Sequence, residues 1–411
     1  MKKVNVVAFK TQELSTDLLT EIVRKGAKTL LKQALEAEIE EVMASYNGEP
    51  LTNGKNRLVR NGFLPGREVL TGIGSVSVRA PRMRDRSVGD DRIVFHSKIL
   101  PPYLRKAKSV EDVLPWLYLK GLSTGDFKEA LMALIGDTGG LSPSVISRLK
   151  NQWYSEFTDW SRRDLSHKQY VYFWVDGVYF NVRMDNDRHC MLIILAATSD
   201  GQKEVLAISD GYRESTESWQ EVLRKLKARG LKVAPKLATG DGALGFWKAL
   251  ALEYPTTCTQ RCWVHKTVNA LDKLPKGEQK RAKSMLHDIW MASTKAIAEE
   301  NFDSFISIYK AKYPKAVTCL EDDRKALLAF YDFPAEHWIH LRTSNPIESM
   351  FSTVRLRTDK TKGCLSRENI LGMVYKLAIS AQKRWHHMRG ADKMLELVKG
   401  LIFIDGLRKA A

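Results

Sequence analysis

Three carboxylates occupy positions where a globular chain has little ordinary use for them. Asp176 interrupts the apolar run Tyr170-Val-Tyr-Phe-Trp-Val-Asp-Gly-Val-Tyr-Phe180, Asp241 stands between Gly240 and Gly242, and Glu348 lies in Thr343-Ser-Asn-Pro-Ile-Glu-Ser349. An ionised carboxylate within a buried strand is costly unless a positive charge compensates it, and a divalent cation shared by several acids is a common large compensation. Two such cations, held about 3.5–4 Å apart, activate a nucleophile and stabilise the leaving oxygen in phosphoryl transfer. Hard oxygen ligands favour Mg²⁺ or Mn²⁺. Each acid also has a structural alternative. Asp176 could pair with an internal Lys or Arg, and Asp241 could cap a helix starting at Ala243. Asn345, Pro346 and Glu348 fit the N-cap, N1 and N3 positions of a capping box. Arg355, seven residues after Glu348, falls on the same helical face, where it meets a phosphate or is simply solvated.

Apolar periodicity indicates what positions these residues. Strand-like runs cover 170–183, 190–197 and 204–209, followed by an amphipathic helix (Trp219, Val222, Leu223, Leu226) that ends at Gly230. A fourth strand near Val233–Ala238 runs into Gly240-Asp241-Gly242. Residues 243–254 read as helix, 257–263 as a short strand and 265–340 as almost wholly helical, with another helix opening at Glu348 and a largely helical tail. Three strands, a helix and another strand make an α/β sheet domain.

Upstream, residues 13–46 carry apolar positions at helical spacing, from Leu18 and Leu19 through Leu35 and Ile39, before the Asn/Gly/Pro-rich stretch 46–54 breaks the pattern. Between Lys55 and Lys108 thirteen Lys/Arg face four acids, so the positive charge is concentrated. Within this window, Arg67–Arg79 alternates like a strand pair interrupted by Gly72 and Gly74, which predicts a basic hairpin followed by Arg82 and Arg84. Residues 109–160 give three helical segments, the last opened by Ser142-Pro143 and offering Arg148 and Lys150. This is a helix-turn-helix pattern, although two short helices and a turn also occur in proteins that never touch DNA.

The 411 residues suffice for two or three domains, and a formal charge of +17 with pI ≈ 9.5 favours a polyanionic partner, nucleic acid ahead of an anionic membrane surface. No window approaches the roughly 18–20 apolar residues of a membrane span, and the N-terminus lacks a secretory pattern, so a cytoplasmic location is expected. Cys190, Cys258, Cys262, Cys319 and Cys364 are too few and too irregular for a disulfide framework.

With these motifs assembled, the chain from about Asn61 through Arg384 resembles the mutator-type transposases of bacterial insertion sequences, DDE recombinases with a ribonuclease-H-like core. The resemblance rests on Val175-Asp-Gly-Val-Tyr179, Thr239-Gly-Asp-Gly242, Gln260-Arg-Cys-Trp-Val-His-Lys266, Thr343-Ser-Asn-Pro-Ile-Glu-Ser349 and Arg355-Leu-Arg-Thr358. The acids stand 65 and 107 residues apart, as in that family, whose long second gap holds a helical insertion.

The resemblance implies that Asp176, Asp241 and Glu348 are a catalytic triad holding two Mg²⁺ or Mn²⁺ ions, and that Arg355 and Arg357 contact DNA together with Arg79, Arg82, Arg84, Arg148 and Lys150. It also carries over Cys262 and His265 as a Cys-x-x-His signature, expected to pack and hydrogen-bond beside the active site with Trp263 and His265 near the DNA ends. Zinc is the weaker alternative, with Cys258 as a third ligand and no obvious fourth.

The implied architecture is multidomain α/β: a helical region (1–52), a basic hairpin and helix-turn-helix (53–165), a ribonuclease-H-like mixed-sheet core (166–266 and 341–390) split by an all-helical insertion (267–340), and a tail (391–411). The implied partners are double-stranded DNA, as terminal inverted repeats and target, and a second copy of the chain on that DNA. Two other functions remain open at this point: a metal-dependent nuclease without strand transfer, and a DNA-binding regulator whose acids are structural.

Overall fold

The apolar run around Asp176 is nearly continuous because its strand is covered on both faces. The computed structural model describes residues 18–46, 51, 54–87, 91–110, 113, 117, 132, 143–181, 188–211, 213–242, 244–360 and 366–409. The chain divides into two units, Met1–Ser147 and Arg148–Ala411.

In the first unit, helix α1 (Leu18–Ser45) accompanies two antiparallel strand pairs, β1 (Leu58–Phe63) with β4 (Pro81–Asp85) and β2 (Arg67–Thr71) with β3 (Gly74–Val78). The β2–β3 hairpin turns through Gly72-Ile73, and Gly74, at φ 100°, takes a backbone conformation that a side chain would strain. Leu35 of α1 packs with Val69, Val76 and Val78 of the hairpin, while Ile39 packs with Leu58 and Met83. Strand alternation then fixes the charge. Pro81, Met83 and Asp85 point inward and Arg82 and Arg84 outward, with Arg79 also exposed. The Asp85 carboxylate closes the following loop by accepting from the backbone N–H of Ser87 at 2.8 Å and of Ile93 at 2.9 Å. The apolar stripe of α1 is only half used, because Leu18, Ile22, Val23 and Leu30 are exposed.

Most of the expected helix-turn-helix lies outside the described residues. Its third helix is present as α2 (Pro143–Ser161), which runs into the second unit, where Phe157 and Trp160 pack on Tyr375. Arg148 is exposed and Lys150 half-buried on this helix.

The second unit is built on a five-stranded mixed sheet in the order β7-β6-β5-β8-β9. Strands β5 (Tyr170–Asn181), β6 (Arg188–Thr198) and β7 (Lys203–Gly211) are antiparallel, whereas β8 (Leu237–Gly240) and β9 (Cys258–Arg261) continue the sheet in parallel on the other side of β5. Phe173 and Val175 face the core under α3 (Thr216–Ala228) and α4 (Leu244–Glu253), among Trp219, Leu223, Phe246 and Leu250. Each such side chain contributes roughly 1.5–3 kcal/mol by leaving water. The alternate residues point to the opposite face, where Tyr172 Oη meets His337 Nδ1 at 2.7 Å and Trp174 Nε1 donates to the His340 carbonyl at 2.8 Å. Asp176 is the next residue of this second row.

Between β9 and the late helices lie α5 (Trp263–Leu271), α6 (Lys276–Trp290), α7 (Lys295–Tyr309), α8 (Pro314–Glu321), α9 (Arg324–Leu327) and α10 (Trp338–Leu341), followed by α11 (Asn345–Lys360), α12 (Arg367–Gln382) and α13 (Asp392–Val398). The short strand expected to run to Trp263 ends at Arg261. Cys262 N–H makes the last rung to the Gly240 carbonyl, and Trp263 N–H turns away to the Arg342 carbonyl, which starts α5 and makes His265 helical.

Candidate active site

Register alone brings the first two acids together. Val175 of β5 pairs with Gly240 of β8, and Gly240 pairs with Arg261 of β9. The residues that follow this row are Asp176, still within β5, and Asp241 and Cys262, the first residues beyond the ends of β8 and β9, whose strands run about 4.8 Å apart. Asp176 continues the strand. Asp241 leaves it in a turn, its Oδ1 accepting from Gly242 N–H at 2.5 Å. Arg261 Nη1 donates to the Asp241 carbonyl at 2.8 Å, while its Nε reaches Asp323 at 3.0 Å and Lys266 binds the same carboxylate. The helical insertion is thereby tied to the turn that carries Asp241.

The third acid arrives from a different part of the chain. Thr239 Oγ1 donates to the Leu341 carbonyl at 2.9 Å and Ser344 N–H to Cys262 Sγ at 3.3 Å, which docks the start of α11 on the ends of β8 and β9. Ser344 Oγ then lies 2.8 Å from Glu348 Oε1, 3.2 Å from Cys262 Sγ and 3.4 Å from His265 Nδ1, and His265 Nδ1 is 3.7 Å from Glu348 Oε1. Helix α11 begins at Asn345, so the capping place falls to Ser344 and not to Asn345, which is exposed.

Electrostatics couple the two halves. Burial pushes the Asp176 carboxyl up to about 7, assisted by the negative charges of Glu214 and Asp241 and opposed by the Gly177 N–H and His265. His265 is raised to about 9, chiefly by its hydrogen bond to Cys262, with the Asp241 and Glu348 charges adding to the shift. For Cys262, burial acts upward but the hydrogen bonds from His265 and Ser344 outweigh it and lower the thiol. One imidazole therefore feels all three acids. Among the described residues the close cluster of ligand atoms, within 4.8 Å of one another, is Cys262, His265 and Glu348; Asp176 and Asp241 lie outside it.

A fourth carboxylate, Glu214, belongs to this region. A Cβ on Gly177 would collide with its carboxylate and one on Gly245 with its carbonyl, so two glycines make room for it between β5 and α4. Burial, then the charge of Asp241, raises the Glu214 carboxyl, and the Tyr179 hydroxyl is hydrogen-bonded to it. Sequence reasoning passed it over because Glu214 immediately precedes Ser215, the N-cap of α3, and resembles ordinary capping sequence.

A family model described as "Transposase, Mutator family" matches residues 1–388. The chain belongs to that family. It is 50% identical over 288 residues to "Transposase for insertion sequence element IST2" of Acidithiobacillus ferrooxidans, covering 68% of this chain and 95% of that relative. It is 49% identical over 298 residues to the transposase for insertion sequence element IS6120 of Mycolicibacterium smegmatis, covering 72% and 92%. A more distant relative, the transposase for element ISRM5 of Rhizobium meliloti (strain 1021), is 27% identical over 368 residues, 88% of each chain.

Several residues of this Mutator-family chain stand differently from what its sequence suggested. Among the described residues no Lys or Arg pairs with Asp176. Trp263 is fully buried with Nε1 on the Leu327 carbonyl at 2.8 Å and is closed to DNA. Cys258 begins β9, opposite Leu237, a whole short strand away from Cys262, and it is no member of the Cys262–His265–Glu348 cluster. Arg355 is exposed on α11 with its guanidinium 6.0 Å from the Phe351 ring centre, and Arg357 is on the same helix. The four described cysteines are free, and no described helix is long and apolar enough to cross a membrane.

Proposed function

We propose that this chain is a DNA transposase that cleaves and joins strands at the ends of an insertion sequence, with Asp176, Asp241 and Glu348 as its metal-binding acids. The observation that carries this is the register row Val175–Gly240–Arg261, which delivers two acids to one sheet edge beside the imidazole that faces the third. The strand order, three antiparallel strands with the first at the centre and two parallel ones beyond it, supports a ribonuclease-H-like core. The donor set fits Mg²⁺ or Mn²⁺, because the oxygens are hard and, among the described residues, His265 is the cationic side chain that compensates Asp176. When bound, a pair of such ions supplies Lewis acidity at the attacking and leaving oxygens.

The protein's own groups divide the remaining work. Asp176 and Asp241 hold the ions, with Glu214 as a further oxygen donor. Glu348 completes the set while Ser344, Cys262 and His265 fix its rotamer, and Arg355 and Arg357 bind phosphate. Water cleaves the phosphodiester to leave a 5′-phosphate and a 3′-hydroxyl, and that hydroxyl then attacks a target phosphodiester, displacing the target strand's own 3′-oxygen as the new linkage forms. In the first unit Arg79, Arg82 and Arg84 grip the inverted repeats, aided by the helix-turn-helix with Arg148 and Lys150. The exposed Leu18, Ile22, Val23 and Leu30 of α1 support pairing of two copies on DNA.

Sequencing the DNA that flanks the gene identifies the inverted repeats, and a supercoiled plasmid carrying them is the substrate for the decisive assay. Wild-type protein with Mg²⁺ is expected to yield joined products. Cleavage without joining would leave only the nuclease alternative, and binding without cleavage would leave only the regulator. Glu348→Gln keeps a capping acceptor but weakens the metal site, so retained cleavage by that variant would exclude the assigned role of Glu348. Ser344→Ala frees the Glu348 carboxylate from its hydroxyl partner and is expected to lower the cleavage rate about 10–100-fold, the usual cost of losing a group that orients a metal ligand. Its thermal midpoint should stay within a few degrees of wild type, and an unchanged rate would remove Ser344 from the positioning role.

A further inference from the structure

The sheet face that carries Asp176 also carries Trp174, two residues earlier and about 6.6 Å back along the strand. Trp174 floors a cavity of about 460 Å³ whose walls come from Lys203, His340, the start of α11 at Pro346 and Ser349, and the segment 384–389. Pro346 and Ser349 share one face of the first turn of α11, the turn that carries Glu348 on another face. Among the described residues its charged lining is cationic, with Lys203, Arg384 and Arg389 beside His386 and His387. Asp200, bonded to Thr198 and Gln202, acts on His387 among these cations and does not line the cavity.

Lys203 is the informative member. Its ammonium is half-buried, burial lowers its pKa, and it donates to the His386 carbonyl at 3.4 Å, a neutral group. Among the described lining residues no carboxylate accompanies this partly desolvated ammonium and the two arginines of the same cavity, and an anionic ligand supplies the counter-charge. The cavity is too small for a duplex and matches a small-molecule site in volume. Trp385, also in its wall, offers the aromatic face on which an unpaired base stacks.

We infer that this cavity receives one unpaired nucleotide of the DNA strand being processed, its phosphate on Lys203, Arg384 and Arg389 and its base against Trp385. The inference rests on the transposase function proposed above and specifies where the strand passes. Inorganic phosphate would satisfy the cations equally well, but it cannot use Trp385.

The test compares full-length protein binding to a blunt DNA duplex and to the same duplex with a short single-stranded extension carrying a fluorescent adenine analogue. Wild type is expected to bind the extended duplex about tenfold more tightly, the equivalent of one stacked base, and to quench the analogue. Arg384→Glu combined with Arg389→Glu should erase the preference, and Trp385→Leu should erase the quenching. Blunt-duplex affinity should fall by less than extended-duplex affinity in both. Equal binding of the two duplexes by wild type, or variants that keep both preference and quenching, would overturn the inference while leaving the proposed function standing. Loss of the preference in millimolar inorganic phosphate without any quenching in wild type would reduce the cavity to a phosphate site and overturn the nucleotide assignment. Wild type that binds neither duplex would overturn the proposed function itself.

Discussion

Asp241→Asn is expected to abolish strand cleavage, by a factor on the order of 10³ or more, while leaving fold and DNA binding intact. The amide still accepts from Gly242 N–H, and the contacts of Arg261 and Trp247 go to the backbone carbonyl, so the loss is confined to the charge that a cation, His265, Asp176 and Glu214 feel. Asp176→Asn should be equally inactive and adds a signature in stability. Because burial raises the Asp176 carboxyl to about 7, the folded state prefers it protonated. In cation-free protein, stability is therefore complete below the ordinary carboxyl pKa and declines as the pH rises through about 7. At pH values above that window and in chelator, Asp176→Asn should melt at a higher temperature than wild type, whereas added Mg²⁺ should raise the midpoint of wild type alone. A less stable Asp176→Asn protein, or one that cleaves, would contradict the assignment.

The second large effect concerns the first unit. Arg79, Arg82 and Arg84 are exposed, and the β4 pleat turns Arg82 and Arg84 to the same side. If each neutralises one DNA phosphate, replacing all three with Ala should make the slope of log affinity against log salt shallower by about 2.7 and weaken binding about 10²–10³-fold near 0.1 M salt. The measurement is a salt titration of repeat-end DNA by fluorescence anisotropy. An unchanged slope would move the DNA surface elsewhere. The core is expected to tolerate the change, since Met83 and the buried Asp85 keep their places.

The legible part of this protein was what local periodicity and covalent spacing determine. The strands around Asp176, the helix through Trp219 and Leu226, and the hairpin at Gly72 follow from residue alternation and turn chemistry, and the structure has each of them. The acids were conspicuous because a carboxylate is unexpected in such a strand. What spacing could not convey was long-range register. Nothing in the order of residues says that Val175 pairs with Gly240 and Arg261, and that pairing is what aligns Asp176, Asp241 and Cys262.

Glu214 was invisible for the same reason, since its meaning comes from Gly177 and Gly245, which are distant in sequence. The Cys262–His265 pair looked like packing or a metal fragment. Its contacts to Ser344 and Glu348 show a clamp on the N-terminus of α11.

Glu348 rests with Cys262 and His265, apart from Asp176 and Asp241, so the central claim is that divalent cations draw on all three acids. Crystals of the protein bound to its repeat-end DNA, soaked in Mn²⁺ and measured for anomalous scattering, test this directly. Manganese peaks about 2.0–2.2 Å from oxygens of Asp176, Asp241 and Glu348 are the expected result. Manganese bound elsewhere, with Glu348 still against His265 and no peak at either aspartate, would contradict the account.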